Sequence, residues 1–254
     1  MLLTDGNPNT TEALRVYESA ILNVAHTELI DLEVKLGLAT EEITQEVLDF
    51  LLNRSVGDPR IGTRRGFGVA DVVVTRQMKR WHALHTLELV YRDGFNNQSN
   101  DRYKAKFYEY RLLAGQARRQ TFQFGVGLVS NPVPVAEQPD ISFAAGPFEA
   151  TTYFVRVAWT TSTGAEGFAS PVTTYDAPPA SVPVVEAVNP PANATGFHVY
   201  LGLTEETVSR QTESPIGIGQ AFILPGTGLI GGVAAGDGQV ADVYLTDERR
   251  MRWG

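Results

Sequence analysis

The sequence predicts an α+β chain of two domains, and three observations predict it. Up to Phe124 apolar residues recur at spacings of three to five, the period of helices that bury one face. After Gly125 the period falls to two, that of strands. Proline and glycine then punctuate the text at short, regular intervals, as turns between strands do. The expected layout is an N-terminal antiparallel helical bundle over residues 1–130, a β-sandwich over 131–226, and a glycine-rich tether with an extended tail over 227–254.

Taken in order, Leu14, Tyr17, Ile21, Val24, Leu29, Leu32 and Leu36 form one stripe, predicting a single helix over Thr11 to Leu36 that Gly37 stops. Thr40 followed by Glu41 and Glu42 reads as a cap with acids in the first turn of a second helix, which ends near Asn53. From Arg54 to Gly68 glycine, proline and arginine defeat both periods, so a long loop carrying Arg60, Arg64 and Arg65 is a contact candidate. Asp71 is placed to cap a third helix through Met78, Trp81, Leu84, Leu87 and Tyr91, although Val72, Val73 and Val74 alone would pass for a strand. Asp93-Gly94 ends it. Tyr103, Phe107, Tyr110, Ala114, Ala117, Thr121 and Phe124 are the core face of the last helix.

Thr152 to Thr160 alternates Tyr153, Val155, Val157 and Trp159 with Phe154, Arg156 and Ala158, a half-buried strand. Further short strands are expected at Pro171 to Tyr175, Val182 to Val188, Gly196 to Leu201 and Gln220 to Leu224. Such spacing indicates a small sandwich of immunoglobulin or fibronectin III type. The boundary falls within residues 126 to 135. Eight glycines between Ser214 and Val240 read as a tether, and Val240 to Leu245 can form one more strand.

Composition narrows the function classes. The chain has 254 residues, 43% hydrophobic and 20% charged, and no cysteine, which removes disulfides, thiolate metal sites and a cysteine nucleophile. No secretory leader or long apolar run is visible, so a soluble protein without membrane contact is expected. The net charge of −8 is unevenly spread: residues 1 to 50 carry ten acids and two bases, 51 to 130 six acids and fourteen bases, and 131 to 254 thirteen acids and five bases. Opposed blocks favour oriented contact between regions or between copies.

Searches for catalytic patterns find none: Gly66-x-Gly68 and Gly125-x-Gly127 lack a third glycine, and there is no phosphate-binding loop, nucleophile elbow or zinc-protease helix. No enzyme activity and no cofactor is expected. His82, His85 and Glu88 share a helix at spacings that could offer a metal two imidazoles and a carboxylate, but the plain reading is packing. Lys104, Arg111 and Arg118 recur every seven residues with Tyr108 between, a basic stripe suited to phosphate or to the acidic first helix of the same or a neighbouring copy. At the end, Arg249, Arg250, Arg252 and Trp253 bring together two residue types enriched at binding hot spots, which reads as a docking tail.

Trp81-His-Ala-Leu-His-Thr-Leu-Glu-Leu-Val-Tyr-Arg-Asp93, then Asn100-Asp-Arg-Tyr-Lys-Ala-Lys-Phe-Tyr-Glu-Tyr110 and Phe124-Gly-Val-Gly-Leu-Val129, resemble the helical core of head-to-tail adaptor (connector) proteins of tailed bacteriophages. The segments Thr152 to Trp159 and Val188 to Gly202 are similar to fibronectin-like domains inserted in some of them. The resemblance implies a ring of twelve copies in the virion neck, below the portal protein, assembled in the host cytoplasm. Such a ring continues the DNA channel, passes double-stranded DNA without reading its sequence, and presents a surface to tail or tail-completion proteins. It also implies that the C-terminal segment grips the portal. In such a ring the acids Glu28, Asp31 and Glu33 are expected to face the lumen, since a cationic bore would hold phosphate and slow passage. The alternative reading is a nucleic-acid-binding protein using the basic region 54–119, with the β domain as a partner-binding module. An enzyme on cell-wall sugars would need a convergent acid pair, which the sequence does not place.

Overall fold

The computed structural model describes residues 1–55, 66–98 and 101–247. The chain is α+β, with helices in the N-terminal half and antiparallel sheets in the C-terminal half. It divides into two compact units: a β unit of Met1–Asp5 with Asn131–Gln239, and a helical unit of Gly6–Ser130 with Val240–Gly254. The β unit is thus inserted into the helical one.

The helical unit contains α1 (Thr11–Leu14), α2 (Ile21–Glu28), α3 (Leu32–Ser55), α4 (Arg76–Gln98) and α5 (Lys104–Phe124). The single helix expected over Thr11 to Leu36 is instead three pieces. The decisive break is at Leu29, which adopts a left-handed conformation with φ 55° and lets Ile30 donate back to the Ala25 carbonyl at 2.9 Å. Asp31 then caps α3, its carboxylate accepting from the Glu33 and Val34 amides at 2.9 and 3.2 Å. Gly37 does not stop this helix. A glycine costs a helix interior only about 1 kcal/mol, and burial of Leu36, Ala39 and Ile43 on one face offsets it. Thr40, expected as a cap, lies inside α3 and donates back to the Leu36 carbonyl at 3.1 Å.

Val72–Val73 is a strand, β1, pairing with β2 (Val126–Leu128), so the valine run outweighs the proposed Asp71 cap. Asp71 instead holds the Gly68 amide at 2.9 Å, and α4 is capped by the Thr75 hydroxyl, which accepts from Met78. α4 also continues past Asp93-Gly94 to Gln98, and a Cβ at Gly94 would stand 3.1 Å from the Tyr103 ring. It packs along α5 and against α3. An aromatic seam sets the antiparallel register: Trp81 meets Phe122 at 5.7 Å, Tyr91 meets Tyr110 at 5.4 Å, and Phe95 meets Phe107 at 6.4 Å between ring centres. Of the face expected for α5, Phe124 alone is exposed, at 64%.

The β unit is a sandwich. Its strands are β3 (Asp140–Phe148), β4 (Thr151–Thr160), β5 (Thr173–Ala177), β6 (Ser181–Glu186), β7 (Gly196–Gly202), β8 (Ser209–Arg210), β9 (Ile216–Gly217) and β10 (Phe222–Ile223). One sheet runs β10-β6-β3 and the other β5-β4-β7-β8, with β9 also on β7. Tyr153, Val155, Val157 and Trp159 point into the core opposite Val182 and Val185, as the alternation of β4 predicts, and Trp159 meets Phe197 edge-on at 6.0 Å. The other face of β4 and β7 is covered too: Ala158 and Tyr200 pack with Ala169 and Val208, and the Arg156 guanidinium donates to the Ser170 and Ala169 carbonyls at 2.6 and 3.2 Å. β3 has no counterpart in the sequence reading. Its Ala-Ala-Gly-Pro run is a poor strand former, tolerated because β3 is an edge strand with a register shift between Ala145 and Phe148.

Residues 227–239, expected as a free tether, are laid along the β unit. Val233 accepts from the Arg210 amide at 2.8 Å, and the Gln211 side chain brackets Ile230, accepting from its amide at 2.8 Å and donating to its carbonyl at 3.0 Å. Gly232 passes so close that a Cβ there would overlap the Arg210 carbonyl oxygen.

Candidate assembly site

The chain returns to the helical unit through β11 (Val243–Leu245), which lies antiparallel to β2 with Val243 opposite Leu128 and Leu245 opposite Val126. Two glycines permit this. A Cβ on Gly127 would stand 2.9 Å from the Ala241 methyl, and Gly125, at φ 105°, would press one against the Tyr244 Cβ at 2.9 Å. The Asp242 carboxylate accepts from the Ser130 amide at 2.8 Å, and the Asp247 amide donates to the Phe122 carbonyl at 2.8 Å. The C-terminal end of the described chain is therefore fastened beside the end of α5. A cavity of about 670 Å3 opens there, lined among others by Glu46, Asp49, Phe50, Arg118, Phe122 and Asp247. Its lining includes the Phe50–Phe122 pair, 4.8 Å between ring centres, and side chains of both charges, Arg119 among them.

The basic stripe is exposed, but its members differ. Lys104 pairs with Asp101 at 3.1 Å. Arg118 pairs with Glu46 and lies over the Phe122 ring at 5.6 Å, so it joins α5 to α3 within one copy. Arg111 has no carboxylate partner among the described residues. The acids divide similarly. Glu28 is buried at 6% exposure and accepts from the Tyr103 hydroxyl at 2.9 Å, which corrects the expectation that it faces a lumen: it fastens α2 to the start of α5. Asp31 and Glu33 are exposed, Asp31 as the α3 cap and Glu33 accepting from the Thr11 hydroxyl. Arg60, Arg64 and Arg65 of the loop, and Arg249, Arg250, Arg252 and Trp253 of the tail, lie outside the described residues.

His82 and His85 point to different tasks. His82 is fully buried: Nδ1 accepts from the Asn9 amide at 3.0 Å, which leaves the proton on Nε2, within 3.1 Å of the Leu36 carbonyl and 2.9 Å of the Thr40 hydroxyl. Burial pushes its pKa down to about 4. His85 is also penalised by burial, but Glu88 at 3.1 Å and Glu42 at 2.6 Å more than offset this, so its pKa is raised. Among the described residues no cluster is arranged to hold a metal ion.

A half-buried polar knot was not visible in the sequence. The Glu18 carboxylate accepts from Lys106 and from the Tyr110 hydroxyl, each at 2.9 Å, at the stacked Tyr91–Tyr110 pair. Burial pushes Glu18 up, but Lys106 and Tyr110 outweigh it and hold the carboxyl below its ordinary range. The same surroundings, burial first and then Glu18, raise both tyrosines.

No protein-family model matches the chain, and a search of curated proteins finds no match. No helix among the described residues is long and apolar enough to cross a membrane.

Proposed function

We propose that this chain is a structural head-to-tail adaptor of a tailed-phage virion: a ring of twelve copies below the portal that continues the DNA channel and docks the tail. The observation that carries the reading is the insertion. β2 leaves the helical unit and β11 returns to it as an antiparallel neighbour, so the chain end bearing Arg249, Arg250, Arg252 and Trp253 continues from the helical unit's own sheet. A helical core with a β module set into it is the layout that the resemblance to adaptors implies, and a C-terminal segment that grips the portal is implied with it. Burying a tryptophan and pairing arginines with carboxylates at a desolvated site is the kind of contact from which a few residues draw most of an interface's energy.

In this reading the role is structural, without catalysis or cofactor, and is exercised in the virion neck after assembly in the host cytoplasm. Asp31 and Glu33 remain the acids offered to the lumen. Removing residues 246–254 is expected to leave the protein folded while abolishing its attachment to portal-bearing, DNA-filled heads. Trp253→Ala reproduces part of that loss, and raised salt weakens the arginine share. Attachment at wild-type occupancy without the tail would overturn this assignment and move the portal contact to Arg60, Arg64 and Arg65. The exposed Arg111 beside Tyr108 favours the second reading, a nucleic-acid-binding protein. DNA affinity that falls steeply with salt in the isolated protein would select it.

A further inference from the structure

The outer faces of α3 and α5 form a matched pair. At 100° per residue, Lys104, Tyr108, Arg111, Leu112, Gly115 and Arg119 fall within an arc of about 100° on α5, and all six are exposed. The arc is basic along its length and apolar at its centre, with Tyr108 53% and Leu112 60% exposed. At Gly115 nothing lies within 4 Å of where a Cβ would stand, so the surface dips there.

On α3, Val34, Glu41, Gln45, Asp49 and Leu52 fall within an arc of about 80°, and all are exposed, Val34 at 60% and Leu52 at 57%. This face is acidic where the other is basic. At 1.5 Å per residue the two run about 27 Å and about 22 Å, so one can cover the other. Glu41, Asp49, Arg111 and Arg119 form no ion pair among the described residues. Within one copy α3 and α5 meet through Glu46–Arg118 and Phe50–Phe122, at the cavity that Asp49 and Arg119 also line. Away from that cavity, Val34, Glu41 and Gln45 on α3 and Tyr108, Arg111 and Leu112 on α5 are exposed and take part in no ion pair among the described residues.

We propose that the α5 face of one copy packs antiparallel along the α3 face of the next, with Arg111 and Arg119 opposite Asp49 and Glu41, Gly115 opposite Gln45, and Tyr108 against Leu52. The inference rests on the ring reading and deepens it by assigning the surfaces. Because the two faces differ, the contact is heterologous, and repeated copy after copy it closes into a ring when the rotation allows.

The absence of cysteine gives a clean test on the full chain. A variant carrying Gln45→Cys and Gly115→Cys, oxidised at high protein concentration and low ionic strength, is expected to give a ladder of cross-linked species beyond the dimer. Either single variant should stay uncross-linked, since a heterologous contact never brings like faces together. Arg111→Glu with Arg119→Glu should weaken self-association about tenfold or more, as should Glu41→Lys with Asp49→Lys, and all four changes in one chain should restore it. These positions are exposed, so far-UV circular dichroism should be unchanged. Rings that image normally despite reversed charges, without a ladder, would overturn the face assignment and leave the adaptor reading standing. Dimers from a single-cysteine variant would replace it with a two-fold contact. A wild-type chain that stays monomeric at every concentration and salt and does not join portal-bearing heads would overturn both.

Discussion

His82 shows how one buried side chain ties stability to pH. Unfolded, it takes up a proton near pH 6.5; folded, it refuses one until about pH 4. Over that window the unfolded chain binds more protons, so stability falls as pH drops, by at most about 1.4 kcal/mol per pH unit from this group. His85 works in the opposite sense. Its folded pKa is raised, so its contribution is fully present below pH 6.5 and is lost as pH climbs through the folded value. His82→Gln is therefore expected to flatten the acid side of the stability profile, and His85→Gln the neutral side, in urea unfolding across a pH series. Tyr110→Phe tests the knot around Glu18: the lost hydrogen bond to a carboxylate should cost about 1.5–3 kcal/mol in the same measurement, with the Lys106 pair kept.

Among the elements, the glycines that admit close backbone approach are the sensitive points. Gly232→Ala should destabilise the β unit by about 1–3 kcal/mol, because the added methyl meets a carbonyl oxygen that cannot swing away. Gly127→Val should loosen β11 from β2, seen as faster amide exchange at Val243 and Leu245. What the sequence disclosed depended on how strongly periodic each element is. α5 and the inward face of β4 were legible because their buried residues keep the helical and strand periods without interruption. The α2–α3 break was not, since Leu29 continues the apolar stripe while its backbone turns the chain. β3 was hidden by its Ala-Ala-Gly-Pro run, and the strap at 227–239 by glycines that signal flexibility in isolation and close approach in context. Of the candidate site, the exposed basic stripe could be read from spacing. The burial of Glu28 could not, because its partner Tyr103 is remote in sequence.

For the molecule as a whole, the insertion sets which pieces stand alone. A fragment of residues 131–239 is expected to fold more stably than one of 132–225. The shorter piece loses the Gln211–Ile230 bonds and the Gln239 side chain, which accepts from the Val133 amide at 2.6 Å and donates to the Asn131 carbonyl at 2.9 Å. Thermal melts followed by circular dichroism check this, and equal melting temperatures would reduce the strap to a passenger. The paired exit and entry strands have a mechanical consequence. A pull carried by the links at Ser130–Asn131 and Gln239–Val240 reaches β2 at its C-terminal end and β11 at its N-terminal end, and these ends, Leu128 and Val243, sit directly opposite each other. The load therefore falls on one rung at a time, as on a zipper, instead of being shared along the ladder as in shear. Tugging the β module should peel β11 away at low force while α4 and α5 stay folded, making the joint between the modules a mechanical fuse.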